Sequence, residues 1–75
     1  MSVASSSDTL TPRERQVLAL LAEGRSSKEI SSVLNVAIAT VSFHRKSLCR
    51  KLDVHSGTGL VHLATTIRWA ADRLT

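Results

Sequence analysis

Arg45, Lys46, Arg50 and Lys51 all fall within residues 37–52, a stretch that holds no Asp or Glu. The other six basic residues (Arg13, Arg15, Arg25, Lys28, Arg68, Arg73) are matched by six acidic ones (Asp8, Glu14, Glu23, Glu29, Asp53, Asp72). The formal net charge of +4 is therefore the property of one segment. Positive charge gathered in this way suits a polyanionic partner, nucleic acid first and an anionic membrane surface second. Ser42 and Phe43 stand beside the cations and add a hydroxyl and an aromatic ring.

Catalysis has no comparable constellation. The chain shows no set of nucleophile, base and orienting group, no paired carboxylates in a pocket-like context and no glycine-rich phosphate loop, so it reads as non-enzymatic. A single cysteine, Cys49, allows no internal disulfide. Together with the scattered His44, His55 and His62 it does not supply the four spaced ligands of a zinc site. No metal, cofactor or small-molecule ligand is expected. Seventy-five residues allow one small domain, which buries only about 60% of its unfolded surface. No apolar run approaches the roughly 20 residues that span a bilayer, and residues 1–7 lack the pattern of a signal peptide. These features predict a cytoplasmic protein.

The elements that would position these residues are helices. The small, polar residues 1–8 read as a flexible tail or linker, with one domain over residues 9–75. Thr11-Pro12-Arg13-Glu14 combines a cap, a proline suited to the first helical position and a capping-box glutamate. Val17, Leu18 and Leu21 follow at helical spacing until Gly24, so the first helix covers about residues 12–23. Ser26 and Glu29 repeat the capping box, and Ile30, Val33 and Leu34 form the apolar face of a two-turn helix that Asn35 would end. A third helix runs from about Ile38 to Leu52, with Val41, His44, Leu48 and Leu52 inward. Ser42, Phe43, Lys46, Ser47 and Arg50 fall on its outer face. Ser56 opens a fourth helix whose inner stripe is Leu60, Leu63, Ala64, Ile67, Ala71 and Leu74. No strand-like alternation appears, and the fold class is all-α with four helices.

A two-turn helix, a tight turn and a longer helix with a basic outer face make the helix-turn-helix pattern. Ile30, Leu34, Val36, Val41 and Leu48 would fix the angle between the two helices, and the small Ser31 would let them approach. The second helix then projects toward a major groove about 12 Å wide. The rival reading is an interaction module that keeps this shape without reading DNA.

Residues 10–63 resemble the DNA-binding domain of the LuxR/FixJ/NarL class of bacterial transcription regulators. The resemblance rests on LTPRERQVLALLAEG, SSKEISSVLNV, TVSFHR and LCRKLDV, followed by Ser56, Thr58 and Leu60. It implies a four-helix domain that binds double-stranded DNA as a homodimer, its third helix reading the major groove, with RNA polymerase as a further partner. By position, Ser42, Phe43 and Lys46 match base-contacting residues of that class. Lys28, Thr40 and Arg45 match backbone-contacting ones, with Arg50 joining from the exposed face. Val61 and Thr65 match its dimerisation region on the fourth helix. Many relatives carry this domain behind a receiver or a ligand-binding domain, so the chain reads as an effector domain, with a stand-alone regulator as the alternative.

Several positions depart from the class. Ser42 stands where lysine is usual and Phe43 where valine is usual. Phe43 can meet thymine methyl groups in the groove or fold back onto the core. Ala37 takes the place of the usual cap of the third helix, a change worth about 1 kcal/mol. Gly57 and Gly59 stand for arginine and glutamate, removing a basic contact and a capping partner. Cys49 is expected to be a half-buried filler, His44 a packing residue, and His55 and His62 surface residues. Trp69 would pack under the fourth helix or join a dimer contact.

Overall fold

A computed structural model describes residues 10–74, with side chains described as far as Arg68. The expectations for residues 1–8, for Trp69 and for the inward positions Ala71 and Leu74 lie outside the described residues. Four helices and no strands are present among those described: α1 (Pro12–Ala22), α2 (Ser27–Leu34), α3 (Ile38–Lys51) and α4 (Gly57–Leu74).

Their boundaries follow the local chemistry. Thr11 and Glu14 exchange hydrogen bonds at the start of α1, the Thr11 Oγ1 accepting from the Glu14 N–H at 3.1 Å and Glu14 Oε1 accepting from the Thr11 N–H at 2.9 Å. Ser26 and Glu29 do the same at α2. Each pair satisfies amide groups that the first helical turn leaves open. Gly24, at φ +87°, turns the chain out of α1. Asn35, at φ 56° and ψ 48°, ends α2 in the left-handed conformation that its short polar side chain tolerates. Ala37 precedes α3 in cap geometry but offers no side-chain hydrogen bond. Ser56 caps α4, its Oγ accepting from the Gly59 N–H at 2.9 Å.

α1 packs on α2, α3 and α4, and α3 packs on all three of the others. Val17, Leu21, Ile30, Val41, Leu48 and Leu60 are fully buried, with Ala64 nearly so. Leu34, Val36, Leu52 and Val54 close the margins of this core. An inaccessible aliphatic side chain contributes about 1.5–3 kcal/mol, so six of them are a large part of what a short chain has available.

Three expectations require correction. Val33 is more than half exposed, because Ser31 is buried beside Ile30 and rotates the contact face of α2 away from it. Ile67 is also exposed, at the edge of an apolar groove of about 360 Å³ between α1 and α4 lined by Leu18, Ala22 and Ala64. Ser47 lies inside rather than on the outer face of α3. It shares one flank of α3 with Lys51, one turn further on, and both meet Glu14 of α1. Lys51, one of the four cations of this segment, is thereby turned toward α1.

Candidate nucleic-acid interface

The solvent-facing strip of α3 consists of Ser42, Phe43, Lys46 and Arg50, all exposed. At 100° per residue these four fall within about 100° of arc, opposite the Val41–Leu48 seam that binds α3 to the core. The strip carries no acidic residue. Phe43 is 67% exposed, which removes the alternative in which it folds back onto the core. Its ring meets His44 edge-on, centroids 5.8 Å apart and planes at 65°, so the half-buried His44 braces it from the core side. Arg50 reaches back toward the Ser47 hydroxyl at 3.4 Å.

Arg45 occupies the opposite flank of α3 from Ser47 and Lys51. It is half-buried and donates from Nη1 to the Ser27 Oγ of α2 at 2.8 Å. Its other terminal nitrogen lies 3.0 Å from where a side-chain carbon on Gly57 would stand. Between α2, α3 and the start of α4 runs an open groove of about 460 Å³, which Ser27, Ser42, Arg45, Lys46, His55 and Gly57 help to line. No acidic residue lines it. The structure thus brings Ser42, Arg45 and Lys46 to one groove, with Phe43 and Arg50 further around the helix. Lys28 is exposed on the first turn of α2, and Thr40 is half-buried on the first turn of α3; neither lines the groove.

On α4, Thr65 is exposed and its hydroxyl is returned to the Val61 carbonyl at 2.9 Å. Val61 is half-buried and packs against the core. Cys49 is half-buried, while His55 and His62 are exposed, as expected.

A buried polar cluster behind the strip was not foreseen. Glu14, 4% exposed, accepts from Ser47 Oγ at 2.6 Å and from Lys51 Nζ at 2.8 Å, in addition to the Thr11 amide. Burial alone would raise the Glu14 pKa. The hydrogen bonds from Lys51, Ser47 and Thr11, with the charge of Lys51, outweigh it and lower the value from 4.5 to about 2. Glu14 therefore stays ionised and ties α1 to the C-terminal half of α3. The capping box marked Glu14 in the sequence, but nothing local marked its second partner 37 residues away.

A two-turn helix held by a left-handed turn against a longer helix with a basic, acid-free outer strip defines a helix-turn-helix domain. Residues 8–64 match the family described as bacterial regulatory proteins, luxR family. The chain belongs to that family, whose members are helix-turn-helix transcription regulators. It is 47% identical over 62 residues to the transcriptional regulatory protein MctR of Rhizobium johnstonii, a match covering 83% of this chain and 29% of MctR. It is 53% identical over 47 residues to the nitrate/nitrite response regulator protein NarP of Escherichia coli, covering 63% of the chain and 22% of NarP. The transcriptional regulatory protein UhpA of Salmonella typhimurium is 44% identical over 59 residues, covering 79% and 30%. The chain spans less than a third of the length of each of these curated relatives. Among the described residues no helix is long and apolar enough to cross a membrane.

Proposed function

We propose that this chain binds double-stranded DNA sequence-specifically in bacterial transcription regulation, as a homodimer with α3 in the major groove. The observation that carries this reading is the outward strip of α3: Ser42, Phe43, Lys46 and Arg50 exposed together, without an acidic neighbour on the strip. Phe43, two-thirds exposed, adds an accessible aromatic ring to this basic strip. Ser42 and Lys46 supply hydrogen bonds to base edges, and Phe43 supplies apolar contact to thymine methyl groups. Lys28, Thr40, Arg45 and Arg50 hold the sugar–phosphate backbone, which fixes register without reading sequence. Val61 and Thr65 belong to the face through which two copies meet. We read the chain as the effector domain of a two-component response regulator, working in the cytoplasm with RNA polymerase as a further partner; the likeness to NarP, a nitrate/nitrite response regulator protein, supports the first part of that reading. No small-molecule ligand is assigned to this segment.

Selection from random duplexes tests the reading. Enrichment of a preferred site is expected, with log K falling against log salt at a slope of about −0.9 per neutralised phosphate. Lys46→Ala is expected to flatten the preference at one or two base pairs, at about 1–3 kcal/mol each. Arg45→Ala should weaken binding to all sequences alike. If no site is enriched and salt has no effect, the domain is instead a protein-interaction module of the same shape.

A further inference from the structure

We propose that the groove between α2, α3 and the start of α4 seats one backbone phosphate of duplex DNA, with Arg45 as its anion-binding group and Ser27 and Gly57 as positioning residues. This rests on the DNA-binding reading above and adds to it two residues that carry no charge. The groove is lined by Arg45 and Lys46, by His55, and by the hydroxyl-bearing Ser27, Ser42 and Ser56. None of its lining residues is acidic; Asp53 lies 3.6 Å from the lining His55 Nε2, and both side chains are largely exposed. A guanidinium is a planar fork that binds phosphate best when its orientation is set in advance.

Two features set that orientation. The Ser27 hydroxyl accepts from one terminal nitrogen at 2.8 Å and leaves the rest of the fork unbound by it. The absence of a side chain at Gly57 leaves room for the other terminal nitrogen, which a Cβ would approach to 3.0 Å. Ser27 and Gly57 come from different helices, so the fork is held across the α2–α3–α4 junction rather than along α3 alone. An arginine tethered in this way loses little further freedom when a phosphate arrives.

Both positioning residues can be altered without dismantling the fold. Ser27 follows the capping Ser26, so Ser27→Ala leaves the Ser26–Glu29 capping box in place. Gly57→Ala meets only the far end of the Arg45 side chain, and alanine favours the helix, so its thermal midpoint is expected to hold or rise. The test uses a duplex carrying the selected site, in which each phosphate in turn is replaced by a neutral methylphosphonate. The wild-type protein is expected to lose affinity at one phosphate per half-site to which Arg45→Ala is indifferent. Arg45→Ala should also reduce the salt slope by about 0.9 per half-site. Ser27→Ala and Gly57→Ala are expected to weaken binding several-fold and to shrink the penalty at that same phosphate, while circular dichroism shows an intact fold. Wild-type affinity in both variants, or no phosphate whose neutralisation depends on Arg45, would overturn the proposal while the DNA-binding reading stands. Failure of the wild-type protein to bind any duplex would overturn that reading itself.

Discussion

Glu14 carries two duties with one carboxylate. It completes the cap of α1 and receives Ser47 and Lys51 from α3, with 95% of its side chain out of solvent and Lys51 nearly as covered. Removing one member of a buried pair leaves the other charge without compensation, which typically costs about 3–5 kcal/mol. Lys51→Met is therefore expected to lower the stability of the domain by about 3 kcal/mol, a shift of well over 10 °C in Tm for a chain of this size. Thermal unfolding by circular dichroism measures it. The pH dependence has a definite sign. Because the Glu14 pKa is lowered in the fold to about 2 from 4.5, its contribution is complete above pH 4.5 and disappears as pH falls toward 2. Denaturation between those limits should be steep in the wild type and shallower in Glu14→Gln, which starts from lower stability and has no such proton to take up.

At the scale of the element, α3 is well anchored along its length and weakly started. Ala37 has the backbone angles of a cap, φ −67° and ψ 151°, but no side-chain acceptor for the free amides of the first turn. Ala37→Ser supplies one at a position already shaped for it and is expected to raise stability by about 1 kcal/mol, read as an increased denaturation midpoint with an unchanged slope. The caps, the left-handed Asn35 and the Val41–Leu48 seam were all legible in the sequence, because each is a local signal within a turn or two of its cause. The exposure of Lys46 was legible for the same reason, whereas that of Phe43 stayed open until the structure placed its ring in solvent. Ser47 and Lys51 were not. Periodicity assigns a polar residue to the outside unless something polar waits inside, and Glu14 lies more than thirty residues away. The placing of Ser27 and Gly57 around Arg45 was illegible for a like reason, since it exists only once three helices have met. Val33 was misplaced even though the inward place of Ser31 was legible: with Ile30 and Ser31 both buried, the contact face of α2 turns away from Val33.

For the whole molecule, the paired Lys51 changes where the surplus charge lies. Arg45, Lys46 and Arg50 remain toward the groove and the outer strip of α3, while Thr65 projects into solvent from α4. Two copies meeting near Thr65 would place two such strips on one duplex, a two-fold arrangement matched to paired half-sites. Thr65→Glu adds a repelling charge at each copy without touching the core. It is expected to abolish the cooperative step between half-sites in gel-shift titrations and to leave the affinity for an isolated half-site unchanged. The division of α3 into an anchoring side and an outer strip has one further consequence. Val41, Ser47, Leu48 and Lys51 hold the helix, and none of them stands among Ser42, Phe43, Lys46 and Arg50. Exposed side chains away from such anchors change stability by about 0.5 kcal/mol or less when replaced. On the DNA-binding reading proposed above, substitutions at Ser42, Phe43 or Lys46 would change base contacts one at a time while the scaffold stays folded.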